Sequence, residues 1–175
     1  MKTLNFVLVL FSFLITTNTF AQVPTTGLVG YWPFNGNAND ESGNGNNGTP
    51  FGGVNFNVDD RFGHPQSARY LDQVDDYILV QDSDLLDFTN TFTFSFWINI
   101  DADVDYFQMG GGPPHIFSKG ATFARLSAEY AFLVYEDFSL FQFSDASNQH
   151  HNYDNYPVVE PSIWAHVFSS TRIPP

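Results

Sequence analysis

The sequence predicts an all-β sandwich of antiparallel sheets, on three observations. Phe92-Thr-Phe-Ser-Phe-Trp-Ile-Asn-Ile100 alternates with period two: Phe92, Phe94, Phe96, Ile98 and Ile100 point one way, Thr93, Ser95, Trp97 and Asn99 the other. Aromatic and β-branched residues in such alternation read as a half-buried strand, whereas at about 100° per residue the same side chains would scatter round a helix. Second, further short apolar runs recur at near-regular spacing with Gly, Asn, Asp and Pro between them. Third, no stretch of the mature chain keeps an amphipathic helical spacing over a helix's length.

Taken in order, the chain opens like an export signal. Lys2 supplies a charge, Phe6 to Ile15 is an apolar run broken by Ser12, and Thr19-Phe-Ala21 resembles a cleavage site before Gln22. Residues 1–21 are therefore expected to be a signal peptide and 22–175 one domain of a secreted or cell-surface protein. The run is too short to span a bilayer, and no later run reaches spanning length. Gly27 to Phe34 reads as a first strand that ends near Pro33, since proline cannot donate to a ladder. Asn35 to Gly53, more than half Asn and Gly, reads as an ordered loop and not a strand, with Asp40, Ser42 and Thr49 for internal hydrogen bonds.

Val54–Val58 and Ser67–Leu71 are short strand candidates, and Tyr77–Gln81 is another, apolar on both sides as in a buried strand. Asp82–Asp87 is a turn or one helical turn, and Asn90 caps the link to the alternating strand. After a long loop from Asp101 to Pro114, Ile116–Ser118, Tyr130–Tyr135, Ser139–Phe143 and Trp164–Ser169 are expected strands, with a polar loop at Ser144–Tyr156. Strand signal runs almost to Arg172-Ile-Pro-Pro175, so the domain is expected to be cut short at its C-terminus.

Composition narrows the function classes. There is no cysteine, so an exported chain must draw stability from its core, or from a metal, with no disulfide framework. The net charge of -13 repels nucleic acid, which requires a basic surface, and suits hard cations such as calcium. Many of the Asp residues, however, sit beside Gly, Asn or Ser, where turn formation alone explains them.

Several segments together resemble the laminin-G-like, concanavalin A-like jelly-roll domains of secreted bacterial proteins. They are Leu28-Val-Gly-Tyr-Trp-Pro-Phe-Asn-Gly36, Asn39-Asp-Glu-Ser-Gly-Asn-Gly-Asn-Asn-Gly-Thr49, Asp75-Asp-Tyr-Ile-Leu-Val80, Phe92-Thr-Phe-Ser-Phe-Trp97, Ile116-Phe-Ser-Lys-Gly120 and Trp164-Ala-His-Val167. The resemblance implies a two-sheet antiparallel jelly-roll sandwich, here lacking its last strands, and a role as an extracellular binding or adhesion module. Sugar and calcium binding both occur in that superfamily without being universal, and fold alone does not settle function. The chain departs from the family pattern at Gln73, where similar domains carry Gly before the Asp-Asp-Tyr turn.

Calcium is the first chemical expectation. The ion takes six to eight oxygens, and Asp40 stands in a carbonyl-rich Gly/Asn loop while Asp75 and Asp76 open a neighbouring strand. The competing reading of Asp40 is a turn cap. Asp101-Ala-Asp-Val-Asp105 imitates an EF-hand start, but Tyr106 stands where Gly is required and Gly112 where the closing Glu belongs. For sugars, exposed aromatics offer stacking faces, and Trp97, Tyr135 and Tyr153 are the candidates.

Catalysis lacks a constellation. Glycosidases of this fold place two Glu four or five residues apart on one strand, and Glu41, Glu129, Glu136 and Glu160 form no such pair. There is no Gly-x-Ser-x-Gly elbow, and the adjacent His150 and His151 would point to opposite sides of a strand. His166 reads as a strand residue with a satisfied ring. The expected function is a secreted, non-catalytic module that binds an extracellular glycan or a protein surface, with calcium as a cofactor. The alternatives are a structural remnant with no ligand of its own and a glycoside hydrolase.

Overall fold

The structure is a computed structural model, and it describes residues 23–88, 91–101, 115–120, 128–134, 139–144, 150–156 and 162–171. Within them the chain is all-β, built from small antiparallel sheets with no α-helix. The strands are β1 (Gly48–Phe51), β2 (Asn55–Val58), β3 (Ala68–Tyr70), β4 (Tyr77–Val80), β5 (Phe92–Ile98), β6 (His115–Gly120), β7 (Ala128–Val134), β8 (Ser139–Ser144), β9 (His150–Tyr156) and β10 (Ala165–Thr171). One short 3-10 turn, Asp84–Leu86, precedes β5, its first turn capped by the Ser83 hydroxyl. β1 pairs with β4, β2 with β3 and β5 with β10, while β6, β7, β8 and β9 form a four-stranded sheet in that order.

The alternating stretch behaves as its pattern dictates. Phe92 and Ile98 are buried at the ends of β5, and Ile100 is buried just beyond it. Their side packs on the four-stranded sheet through rings: Phe94 lies 4.5 Å from Phe117, Phe96 5.1 Å from Phe132, and Phe92 5.9 Å from Phe141. Tilted and edge-on aromatic contacts of this kind add to the free energy of burial. Phe132 and Phe141 are wholly buried, and β7 is buried throughout Tyr130–Val134. The core therefore sits between β5 and the β6–β8 strands. Lys119 on β6 ties this body to the 3-10 turn by ion pairs with Asp82 and Asp87.

Four expectations are corrected. Gly27–Phe34 is not a strand. Its backbone is satisfied by side chains in place of a ladder: Asn44 Nδ2 donates to the Leu28 and Val29 carbonyls, and Asn46 Nδ2 to Val29. Trp32 folds back over Gly30, where any Cβ would collide with the indole. The Gly/Asn loop is not free of strand, because its end forms β1 with Pro50 inside it; a two-stranded edge ladder tolerates that missing donor.

The third correction concerns Tyr77–Val80, whose Ile78 and Val80 side is only half-buried; Tyr77 and Leu79 are exposed, and Tyr77 stacks on Phe51 across the pair at 4.8 Å. Finally, the polar run His150–Tyr156 is strand β9, paired with β8 at the margin of its sheet. Backbone ladders ask nothing of side-chain polarity, and polar residues suit a marginal strand. Asn90 and residues 102–114 of the long loop lie outside the described residues. Gln73 adopts φ 68°, in the left-handed region that favours glycine.

Candidate functional site

Three places collect chemistry-bearing side chains. The first is a knot around Asp40. Its Oδ1 accepts from the Tyr31 and Ser42 backbone N–H groups, each at 2.9 Å. Its Oδ2 accepts from the Ser42 hydroxyl and the Asn46 N–H, again at 2.9 Å. The Asp40 N–H in turn donates to Asn47 Oδ1, and Trp32 Nε1 donates to the Asn46 carbonyl. Burial pushes the carboxyl pKa upward, but the Ser42 hydroxyl and the three backbone donors outweigh it and leave the value below its ordinary 3.8. The four donors occupy the lone pairs a cation would use, and they stitch the loop to the Gly27–Phe34 segment.

The second place is acidic. Ligand oxygens of Asp72, Asp75 and Asp76 all lie within 4.8 Å of one another, at the start of β4. Asp40 is not part of this group. Asp76 accepts from the Gly53 and Asp72 backbone N–H groups, and Asp72 Oδ1 accepts from Val74 N. Gly52, with φ 75°, lets the backbone approach closely, since a Cβ there would collide with Asp76 Oδ1 and the Asp75 carbonyl. The Tyr70 phenol donates to Asp101, and that bond, together with the charges of Asp101, Asp72 and Asp76, pushes its pKa above 10.0. Hard oxygen donors with a carbonyl beside them fit calcium in kind. Three carboxylates, two exposed and one half-buried, with two of them already accepting backbone bonds, fit it only in part.

The third place is the outer face of the β5–β10 pair. Ladder register sets Trp97 opposite His166 and Ser95 opposite Phe168. His166 stacks on the Trp97 indole at 4.7 Å, with 22° between the planes, and shares a 2.9 Å hydrogen bond with the Ser95 hydroxyl. From the turn after β2, the Arg61 guanidinium lies 4.2 Å from both the Trp97 and the Phe62 rings. Trp97 keeps 43% of its surface exposed, Phe168 61% and Phe62 68%.

This turn is itself well ordered by Asp60, whose carboxylate accepts from the Phe62 and His64 N–H groups and meets the His64 ring at 3.0 Å. Desolvation raises the Asp60 pKa, but those bonds and the His64 charge prevail and lower it to about 2. The result is an apolar strip with polar atoms along it. Trp97 is flanked by the His166 ring and the Arg61 guanidinium.

Of the other aromatic candidates, Tyr153 lies on β9 opposite Phe141, and Tyr135 lies outside the described residues. His150 and His151 are on β9, and His166 has the satisfied ring expected of it. Asp72 was legible beside Asp75 and Asp76 in the run Asp72-Gln-Val-Asp-Asp76. Arg61, Phe62 and Phe168 carried no local signal, because only strand register and a turn distant in sequence bring them to Trp97.

Among the described residues no helix is long and apolar enough to cross a membrane. No family model matches the chain, and neither a curated protein nor a solved structure matches it.

Proposed function

We propose that the mature chain is a secreted, non-catalytic binding module of the laminin-G-like, concanavalin A-like jelly-roll type that holds an extracellular glycan on the outer face of β5 and β10. What supports the reading above all is Trp97, a large aromatic 43% exposed on the outer face of a strand whose other face is core. A solvent-facing Trp flanked by His166 and Arg61, with open Phe62 and Phe168 rings near it, offers apolar surface to the C–H faces of a pyranose. The Arg61 guanidinium N–H groups and the second ring nitrogen of His166 offer polar atoms to its hydroxyls.

Calcium is proposed as an accessory ligand of Asp72, Asp75 and Asp76, which would steady the turn before β4 and not touch the sugar through Asp40. The missing Glu pair favours binding over hydrolysis. The deciding experiment is a glycan array read with calcium and with a chelator, followed by titration of Trp97→Ala. At least tenfold weaker binding by the variant is expected, which is about 1.4 kcal/mol. Sugar release from a polysaccharide, or an array that stays blank in both conditions, rejects the reading; in the blank case a protein surface or a purely structural role takes its place.

A further inference from the structure

We infer that the glycan held at this face is acidic, its carboxylate taken by Arg61 beside the Trp97 ring; the inference rests on the proposed glycan-binding reading. The chain carries six Lys and Arg against nineteen Asp and Glu. Among the described residues the lysine and arginine side chains are Lys119, Arg69 and Arg61. Lys119 is spent on Asp82 and Asp87. Arg69 is half-buried and lies 4.7 Å from the Phe34 ring.

Arg61 differs from both. It is exposed, and its contacts with other described residues are the two aromatic faces of Phe62 and Trp97 at 4.2 Å. No described carboxylate pairs with it, although the neighbouring Asp60 is at hand, because Asp60 is committed to His64 and the Phe62 N–H. Among the described residues the guanidinium is thus engaged by aromatic rings and not by a carboxylate, which leaves N–H donors along its edge for a ligand.

A guanidinium 4.2 Å from two ring centroids is steered by both of them, and it presents a planar fork of donors. That fork matches a carboxylate bidentately, and such charge-assisted pairs are the stronger class of hydrogen bond. The exposed part of Trp97 and the Phe62 ring flank it, so a sugar ring and its own carboxylate can be engaged together. The overall charge of -13 sets a limit on the ligand. A dense polyanion is repelled at long range, whereas a uronate spaced along a largely neutral chain brings one charge to one arginine. The ligand class is therefore a uronate-bearing polysaccharide with sparse charge.

Calorimetric titration of the full mature chain tests this. The probes are oligosaccharides of glucuronoxylan and of polygalacturonate, each beside its carboxyl-reduced counterpart. Wild type is expected to bind the glucuronoxylan acid form at least tenfold tighter than the reduced form. Arg61→Gln is expected to bind the two forms equally, and Arg61→Lys, which keeps charge but loses the fork, to fall between.

A melting midpoint unchanged in both variants controls for folding, as expected for an exposed side chain. Equal binding of acid and reduced forms by wild type, with Trp97→Ala weakening both, overturns the acidic ligand and leaves the glycan face standing. An acid preference that survives Arg61→Gln also overturns it. Failure of every probe to bind at millimolar concentration rejects the inference and the glycan reading together.

Discussion

Replacing Phe132 by alanine is expected to lower the unfolding free energy by about 4 kcal/mol, within the range for deleting a buried phenylalanine ring. Phe132 is wholly buried, with the Phe96 ring edge-on at 5.1 Å and the Phe117 ring at 6.1 Å. The strand pairing around it cannot close the hole without breaking ladder bonds to β6 and β8, so most of the cavity persists. For a domain of this length the loss corresponds to a fall in melting temperature of roughly 10 °C. Phe62→Ala removes a ring of the same size that is 68% exposed, and its effect on stability is expected to stay within about 0.5 kcal/mol. Denaturant melts of the two variants side by side settle the matter: equal midpoints would refute the packing of β7 against β5.

Asp40→Asn is expected to cost roughly 3 kcal/mol at neutral pH, although it changes one heavy atom. The carboxylate accepts four hydrogen bonds, three of them from backbone N–H groups that cannot reverse their polarity. An amide in the same place turns one acceptor into a donor facing donors, and bonds to a charged acceptor are worth about 1.5–3 kcal/mol each. The pH dependence has a definite sign. The folded-state pKa lies below the ordinary 3.8, so the contribution is complete above that value and is lost as pH falls below it through the folded pKa. The gap between wild type and Asp40→Asn is therefore expected to narrow in melts between pH 5 and pH 2; a constant gap would show that the charge of Asp40 is not what holds the loop.

These two positions show how unevenly sequence reveals structure. The β5 strand was legible because alternation over nine residues reports burial directly, and burial is what orders that strand. Gly27–Phe34 looked just as strand-like by its apolar content. Its fate was decided instead by Asn44 and Asn46, whose amides replaced ladder partners, and a hydrophobic pattern carries no record of that competition. β9 failed in the opposite direction, since a strand at the margin of a sheet needs no apolar side chains.

The site divides in the same way. Trp97 stood out as an aromatic on a polar face, and Asp75 and Asp76 as neighbours in a turn. Arg61 reaches Trp97 from a turn 36 positions earlier in the chain (97 − 61), and His166 reaches it only through the β5–β10 register. Single-sequence patterns are blind to both, because register is a property of two strands at once. Gln73 is an intermediate case: it stood out in the sequence, and it adopts a positive φ of the kind that favours glycine.

The Asp40 knot has a consequence for the time order of folding. Its bonds join residues between two and seventeen positions apart, whereas the Ser95–His166 bond joins residues 71 apart. Closing the larger loop takes about two doublings of length, roughly 1.2 kcal/mol more in chain entropy, and contacts distant in sequence also form slowly. The asparagine-rich segment should therefore collapse on itself early, while the pair of strands bearing Trp97 assembles last. Pulse-labelled hydrogen exchange should find the Asn46 amide protected before those of β10, and simultaneous protection would contradict this sequence of events. The surface offered to a ligand would then exist only on chains that have finished folding.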